Sequence, residues 1–415
     1  MRIGFIATRL HGTDGVTLEV EKWAKVLTNL GHEVYFCAGE LGGYAKDGTL
    51  IPELHFTDQT VFALSQRAFG GNPEHDGDAL ADLIYSRADE MRAPLRSFIR
   101  SNHLDLIIVQ NALTIPMNLP LGVSLTGLIA ELGIDTIAHH HDFFWERQRY
   151  QTNVILDLLD TAFPAKLPTI QHVTINSIAQ SRLNARRGIS SIVIPNVLDF
   201  SVPPPSFDDF NKDFRSALGL SKDELLILQP TRVIQRKGIE MSIDLVKRLD
   251  GDRPHLFITH RADDEGLSYW RWLKREAGVM NVDVQLIDHV IGPLRGNIND
   301  FKIYSLWDAY LNADLITYPS LYEGFGNALL ESIYVKKLTV VNRYPVYNAD
   351  IKPLGFEFIE LDGFVNENSV QQARDLLSSP DQAKAITERN FQLAREFFSL
   401  EVLEKKLKDL IADFK

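Results

Sequence analysis

Apolar residues along the chain alternate between short uninterrupted runs and stretches with helical spacing. The apolar run Ile3–Ala7 is followed by a polar loop at residues 11–15, and apolar residues then recur every three or four positions over Val16–Leu30. Uninterrupted apolar runs are typical of strands covered on both faces, and the wider spacing is typical of a helix with one buried face. This pattern predicts a strand, a loop and a helix that ends at Gly31, with a second strand at Val34–Cys37.

The same alternation of strands and helices continues through the chain. Further strands are predicted at Leu106–Gln110, Thr136–His140, Val173–Asn176, Ser191–Ile194, Leu225–Gln229, His255–Thr259, Asp314–Tyr318 and Leu338–Asn342. Helices are predicted at Ile239–Leu249, from Tyr304 to Tyr310, at Asn327–Val335, and over Asp381–Lys415 as one long charged helix or a pair. Residues 41–80 lack a clear pattern, which predicts an insertion or a long loop that faces the substrate.

The alternation stops near residue 200. Val202–Ser206 contains three consecutive prolines, which can continue neither a helix nor a central strand. We therefore predict a first α/β domain over residues 1–200, a linker at 201–220 and a second α/β domain over 221–390. Two parallel sheets of similar size with a cleft between them follow as the expected architecture.

Composition narrows the class of partner. The 415 residues include 43 Lys and Arg against 55 Asp and Glu, which gives a net charge of −12. An acidic chain has no general attraction for nucleic acid or anionic lipid, so an anionic substrate needs a local cluster of cations. The single cysteine, Cys37, excludes an intramolecular disulfide and a site with several cysteine ligands, and it fits a reducing, cytoplasmic setting.

Two segments raise the question of a membrane. The uncharged stretch Leu106–Ala130 is long enough to span a bilayer, but it contains Gln, Asn and Pro, so we interpret it as a strand, a loop and a helix. Arg92, Arg96 and Arg100 form a basic stripe on a predicted helix that could dock on anionic lipid. Nearby acidic residues dilute its charge, so a solvated face is the preferred interpretation.

The most informative segment is residues 318–331, in which a strand ends, a glycine-containing loop follows and a helix begins. Main-chain N–H groups at the start of a helix favour an anion, and Gly324 and Gly326 allow a ligand to approach the backbone. The carboxylates of Glu323 and Glu331 can each accept two hydrogen bonds from neighbouring hydroxyls of a ribose or hexose. Spacing alone leaves open that both glutamates are structural.

A second group of charges follows the predicted strand Leu225–Gln229. Arg232 and Lys237 lie in Thr-Arg-Val-Ile-Gln-Arg-Lys-Gly, directly before a predicted helix. Two cations beside a helix start suit a diphosphate, although a basic pair is more often solvated surface. Arg236 is predicted to be a surface residue.

In this order, Arg232-x4-Lys237-Gly and Glu323-x7-Glu331 within EGFGNALLE resemble glycosyltransferase family 4, and Val193–Asn196 resembles its inter-domain segment. The resemblance implies the GT-B fold, with two Rossmann-like domains facing across a cleft, and a retaining hexosyltransferase that uses a UDP- or GDP-hexose. It also implies that residues 391–415 form a C-terminal helix that packs back on the first domain. No protein nucleophile is then required, because the leaving phosphate accepts the proton of the acceptor.

The resemblance also implies roles for individual residues. Arg232 and Lys237 would neutralise the diphosphate, Glu323 would contact the hexose and Glu331 the ribose. The implied catalytic residues are Arg232, Lys237, Glu323 and His141; the implied donor-binding residues are Gly324, Phe325, Gly326, Asn327, Ala328, Leu329 and Glu331; the implied acceptor or phosphate loop contains Gly12, Asp14 and Gly15.

Three consecutive histidines end a predicted strand in the first half. Side chains alternate along a strand, so His139 and His141 share one face and His140 takes the other. His141, followed by Asp142, matches the family's histidine that faces the donor sugar. A zinc site is the alternative, but adjacent residues rarely converge on one metal, so we predict no metal site.

Three other functions compete with sugar transfer. An epimerase of related fold or a non-catalytic nucleotide-sugar-binding protein would keep the same donor site. A dehydrogenase is excluded, because Gly12-x-x-Gly15 is not the dinucleotide fingerprint G-x-G-x-x-G. We expect no required cofactor, no obligatory divalent metal and no nucleic-acid partner. The acceptor is expected to be a small molecule or glycan, such as a polyol, a glycerate derivative or a sugar; the oligomeric state stays open.

Overall fold

The chain divides into two compact units. The first comprises Met1–Val197 together with Leu400–Lys415, and the second comprises Leu198–Ser399. The computed structural model describes residues 1–12, 14–71, 76–249, 253–261, 267–298 and 301–414.

The first unit is built on one seven-stranded sheet whose strands all run parallel, in the order β3-β2-β1-β4-β5-β6-β7. Its strands are β1 (Arg2–Ala7), β2 (Glu33–Ala38), β3 (Thr49–Leu50), β4 (Leu106–Gln110), β5 (Asp135–His140), β6 (Ile170–Thr174) and β7 (Ser191–Val193). Its helices are α1 (Gly15–Asn29), α2 (Gln59–Phe69), α3 (Gly77–Ser101), α4 (Leu119–Leu132), α5 (Leu156–Ala162), α6 (Ser177–Arg187) and, from the end of the chain, α14 (Leu400–Ala412).

The second unit is built on six parallel strands in the order β10-β9-β8-β14-β15-β16. A small three-stranded sheet, β11-β13-β12, is formed by the chain between β10 and β14. Its strands are β8 (Leu225–Arg232), β9 (Pro254–His260), β10 (Val284–Leu286), β11 (Ile291–Gly292), β12 (Gly296–Ile298), β13 (Phe301–Ser305), β14 (Leu315–Tyr318), β15 (Thr339–Asn342) and β16 (Ile359–Leu361). Its helices are α7 (Phe214–Ala217), α8 (Ile239–Arg248), α9 (Ser268–Met280), α10 (Leu306–Asn312), α11 (Asn327–Tyr334), α12 (Glu367–Leu377) and α13 (Pro380–Phe397).

The core of the first unit is completed by the last helix of the chain. α1 buries Val20, Trp23 and Leu27 on one face, and α14 places Leu403 and Leu407 in the same apolar cluster. The spacing of these residues by three, four or seven positions is what puts each set on one side of its helix. Residues far apart in sequence therefore share one core.

The two parallel α/β sheets predicted from the apolar pattern are confirmed. The prediction for residues 41–80 is wrong in part, because α2 forms within it on an amphipathic face and α3 begins at Gly77; residues 72–75 lie outside the described residues. The helix predicted from Tyr304 is also misplaced, since β13 continues to Ser305 and the Ser305 hydroxyl accepts from Asp308 N to start α10.

The predicted linker lies inside the second unit. The chain passes from one unit to the other between Val197 and Leu198. Within residues 201–220, the Asn211 amide donates to Asp308 Oδ1 at 3.1 Å, and Lys302 donates to Asp213 Oδ1 at 2.7 Å. These contacts hold the residues that follow the prolines against the second unit.

The structure shows how both segments that raised the question of a membrane fold. The stretch from Leu106 becomes β4, a loop and α4, and among the described residues no helix combines the length and apolarity that a bilayer span needs. In the basic stripe of α3, Arg96 donates to both carboxylate oxygens of Glu131, and Arg92 lies 3.2 Å from Asp89 Oδ1. These ion pairs neutralise much of the stripe.

Candidate active site

Two turns meet at the carboxyl edge of the second sheet. β8 and β14 are parallel neighbours, so the turns that follow them leave the sheet at the same edge. Leu321 N donates to the carbonyl of Arg236 at 2.8 Å, which joins the turns through their main chains. Gly238 has φ +60°, and a Cβ there would lie 2.5 Å from the carbonyl oxygen of Pro319. A larger residue at Gly238 would force the turns apart.

Glu323 and two cations form the charged centre of these turns. Lys237 Nζ donates to Glu323 Oε1, and Arg236 Nη1 donates to Glu323 Oε2 at 2.7 Å. The Lys237 ammonium also lies 5.3 Å from the ring centre of Tyr318. The Lys237 and Glu323 side chains are about nine-tenths buried, so water screens this cluster little, and each charge depends on its partners.

Burial and charge act in opposite directions on Glu323. Burial raises its pKa, but the charges of Lys237 and Arg236 outweigh burial and hold the pKa at about 2. Burial lowers the pKa of Lys237, and the charge of Glu323 opposes that shift. The carboxylate is therefore ionised at neutral pH, and two cations share this one anion.

The interpretation of Arg236 as a surface residue is wrong. Residues 235–237 form a single 3-10 turn that directs both basic side chains towards Glu323, and Arg236 also stacks 5.6 Å from the ring centre of Tyr322. Arg232 is the last residue of β8 and is exposed; its positive charge contributes to lowering the pKa of Lys237. Glu323 is thus paired with Lys237 and Arg236, and Arg232 lies near enough to Lys237 to act on its charge.

Two tyrosine hydroxyls lie against the glycine loop, residues 324–326. Gly326 has φ +125°, and a Cβ there would lie 2.7 Å from Tyr344 Oη and 3.3 Å from Tyr318 Oη. Tyr344 Oη donates to the carbonyl of Phe325 at 2.7 Å. The Phe325 ring is buried and packs edge-on against Phe398, so this residue offers only its backbone to a ligand.

The start of α11 presents Glu331 beside main-chain groups. Gly326 precedes this helix and has no side chain to cap it, and the start of a helix favours an anion. Glu331 Oε2 accepts from Tyr310 Oη at 2.8 Å, and the same Oη lies 3.2 Å from the carbonyl oxygen of Ala328. Leu329 is buried and its N–H donates to Gly326, so it lies away from the surface of the turn. Asn327 is the first residue of α11.

The predicted loop of the first unit lies at the carboxyl edge of its own sheet. Asp14 is the N-cap of α1: its Oδ1 accepts from Val16 N at 3.1 Å and from Thr17 N at 3.2 Å. Gly12 has φ +84°, and Gly15 is the first residue of the helix. The carboxylate of Asp14 therefore serves the helix first, while the glycines shape the turn.

His141 is held in one orientation by residues that end β4. Its Nε2 lies 3.1 Å from Gln110 Oε1, and its backbone N donates to Asn111 Oδ1 at 2.8 Å. Burial lowers the pKa of His141 to about 4, against the charges of Asp142 and Asp14. The ring is therefore neutral at physiological pH.

The neighbouring histidines are structural and point as the strand alternation predicts. His139 stacks between Trp23, at 4.3 Å between ring centres, and His141, at 4.4 Å. On the other face, Thr114 hydrogen-bonds His140, whose Nε2 lies 2.8 Å from His172 Nδ1. Within the described residues, no three His, Cys, Asp or Glu side chains converge as a metal site requires.

Sequence reasoning missed four residues that support the site. Gln110, Tyr310 and Tyr344 lie on elements remote in sequence from the groups they hold, and no spacing links them. Tyr318 stands at the start of the informative segment, at the end of a predicted strand, and was assigned no role. A strand order assigned in advance would have found Gln110, because β4 and β5 are neighbours.

Comparison with known proteins gives full-length relatives. A mannosylglucosylglycerate synthase from Petrotoga mobilis is 33% identical over 98% of this chain and all of its own length. A second mannosylglucosylglycerate synthase, from Thermotoga maritima, is 33% identical over 97% of this chain and 98% of its own. No protein-family model matches the sequence. Among solved structures, a glycosyltransferase from Rickettsia africae superposes with a TM-score of 0.70 at 15% identity, covering 99% of this chain and 98% of that one.

Proposed function

Because the chain belongs to the same glycosyltransferase family as the two mannosylglucosylglycerate synthases, we propose that it transfers a mannosyl group from a nucleotide-diphosphate sugar to glucosylglycerate. The GT-B glycosyltransferase class expected from the sequence motifs is confirmed, and the chain is a hexosyltransferase. The full-length relatives are named as synthases, so the epimerase and the binding-protein alternatives are not favoured.

The observation that carries the donor assignment is the buried cluster of Glu323 with Lys237 and Arg236. We assign the donor diphosphate to Lys237 and Arg232, the hexose hydroxyls to Glu323 and the ribose to Glu331. As the bond between the sugar and the phosphate breaks, negative charge grows on the leaving phosphate. Cations already in place stabilise that charge without reorganisation, which is usually a large part of catalysis.

The proposed transfer retains the configuration at the anomeric carbon. The bond from that carbon to the phosphate oxygen breaks, a bond to the acceptor oxygen forms on the same face, and the acceptor proton passes to the departing phosphate. In this scheme the chain's own residues bind, orient and hold charge, and neither a protein nucleophile nor a metal is required. The role of His141, whose neutral ring Gln110 holds within the first unit, stays a prediction.

The test is a matrix of donors and acceptors. Purified protein is incubated with GDP-mannose, UDP-glucose and other nucleotide sugars, with and without glucosylglycerate, and products are followed by NMR. We expect transfer only when a nucleotide mannose and glucosylglycerate are both present, and the one-bond C–H coupling of the product should indicate the α-mannoside. Absence of transfer from every donor would contradict the proposal, and conversion of a donor without acceptor would favour an epimerase.

A further inference from the structure

Arg9 is an unassigned cation at the carboxyl edge of the first sheet. It follows β1 by two residues and precedes the loop of Gly12 and Asp14. Asp14 also acts electrostatically on His141, so Arg9, Asp14 and the strand-end histidine share one region of the unit. Ligands of parallel α/β sheets bind at this edge.

The backbone that carries Arg9 is held on both sides. Gly39 N donates to the carbonyl of Thr8 at 3.1 Å, Leu10 N donates to Glu40 O at 2.9 Å, and Gly42 N donates to Leu10 O at 3.1 Å. These bonds extend the pairing of β1 with β2 beyond both strands. Leu10 is fully buried, so in this extended segment Arg9 projects to the opposite side.

The guanidinium of Arg9 is held in place but makes few hydrogen bonds. Its Cζ lies 5.6 Å from the ring centre of Phe56, and its Nη2 donates to Asp14 Oδ2 at 3.3 Å, the one hydrogen bond that this side chain makes among the described residues. The side chain is 37% exposed. A planar guanidinium has five N–H donors, so most of the fork remains open beside an aromatic ring that limits its motion.

The charged side chains near Arg9 already have partners within the first unit. Glu40 lies between two histidines, 3.1 Å from His11 Nδ1 and 3.3 Å from His55 Nε2, and Asp14 accepts from the backbone of α1. Among the other cations of this unit, Lys22 donates to Glu19 and to the carbonyl of Val197. Arg9 is therefore suited to bind an anion that arrives with a ligand.

We propose that Arg9 binds the carboxylate of the acceptor's glycerate group and so selects acidic acceptors over neutral ones. This inference rests on the proposed function, which assigns the acceptor to a glycerate glycoside. A carboxylate matches the fork of a guanidinium with two parallel hydrogen bonds. A neutral hydroxymethyl group at the same position would form at most one hydrogen bond and would gain nothing from the charge.

The experiment compares two acceptors and four proteins. Initial rates are measured at saturating donor with glucosylglycerate and with glucosylglycerol, in which a hydroxymethyl group replaces the carboxylate. The proteins are the natural chain, Arg9→Gln, Arg9→Lys and the control Arg100→Gln, which changes an exposed arginine at the end of α3. We expect Arg9→Gln to lower kcat/KM for the acid about 10- to 100-fold, mainly through KM, and to change the value for the neutral acceptor less than about threefold.

Arg9→Lys should keep the charge and recover part of the preference for the acid, while Arg100→Gln and all donor KM values should stay within about twofold of the natural protein. Equal losses with both acceptors, a raised donor KM, or no loss at all would each overturn the inference. If the natural protein turns over neither acceptor, the proposed function fails. Titration with D-glycerate then tests the site alone: binding that Arg9→Gln abolishes supports it, and absent or unchanged binding overturns it.

Discussion

The carboxyl edges of the two sheets bury polar side chains in different ways. In the second unit, Glu323 is buried as a full charge between two cations. In the first unit, His140, His141 and His172 are buried as neutral rings that hydrogen-bond to neighbours. A buried charge needs a charged partner, and a neutral ring needs only a donor or an acceptor. We expect the first arrangement to bind and stabilise an anion, whereas the second fixes side-chain orientation without adding charge.

The largest effect should come from removing a charge in the second unit. We expect Lys237→Met to lower kcat about 10²- to 10³-fold, because a cation aimed at growing negative charge acts mainly in the transition state. Steady-state rates measure this effect. The matched control is Lys336→Met, which removes a lysine paired with Glu388 at 2.7 Å on a different surface. Equal activity of the two variants would show that the charged cluster is structural only.

Acid titration should separate the two edges by pH. Burial lowers the pKa of His172 from 6.5 to about 4. Between these two pH values the unfolded chain therefore binds a proton that the folded chain does not bind. This contribution to stability is complete above pH 6.5 and falls by about 3 kcal/mol as the pH drops to about 4. Glu323, shifted from 4.5 to about 2, contributes above pH 4.5 and loses its contribution only as the pH falls towards 2.

The measurement is the free energy of urea unfolding at pH 7 and pH 4.5. We expect His172→Asn to weaken the dependence on pH by nearly one proton, and the exposed His103→Asn serves as the control. His103 has φ +49°, a conformation that asparagine tolerates. The same slope in the natural protein and in His172→Asn would break the contrast between neutral and charged edges.

Glu331 should affect donor binding more than turnover. Replacing it by Gln removes a charged acceptor for a pair of hydroxyls, so we expect the donor KM to rise about 10- to 100-fold with kcat within about threefold. Rates at varied nucleotide-sugar concentration provide the test. Glu388→Gln, an exposed change, serves as control and should leave the donor KM unchanged. A fall in kcat with constant KM would assign Glu331 to the reaction rather than to the ribose.

The smallest expected effect concerns the support of the glycine loop. Tyr344→Phe removes the hydrogen bond to the carbonyl of Phe325, at a cost of about 1 kcal/mol, and should raise the donor KM about two- to fivefold. Tyr347→Phe removes a similar bond, to Glu360 Oε1 at 2.6 Å, away from the loop. Both variants should lose similar thermal stability, but only Tyr344→Phe should weaken donor binding. Equal donor KM values for the two variants would show that the Tyr344 hydroxyl does not support the loop in donor binding.

The sequence predicted that the turns of Lys237 and Glu323 open at one edge of the sheet, because each turn is contiguous. Glu323 and Lys237 stand in two short segments that follow neighbouring parallel strands, so spacing and fold class together place them side by side. Arg236 was misjudged because adjacent residues usually diverge, whereas a 3-10 turn here directs both basic side chains to one carboxylate. Conformation within three residues decided that difference, and composition does not encode it.

The edge of the first unit was harder to predict, because its parts come from different strands. Gln110 and His141 are 31 residues apart and meet only because β4 pairs with β5. Arg9 and Phe56 depend likewise on a loop beyond β3, in the stretch where no regular pattern was found. Side chains that act singly leave no periodic signal, so their roles follow only from tertiary structure.

The place of α14 in the first core has a consequence for biosynthesis. The ribosome completes residues 1–197 long before Leu403 and Leu407 emerge to cover α1. At usual translation rates of about 5–20 residues per second, the intervening chain takes roughly 10 to 40 s to make. During that interval a nascent apolar surface around Trp23 lacks its cover, and a chaperone that shields it would raise the yield of native protein.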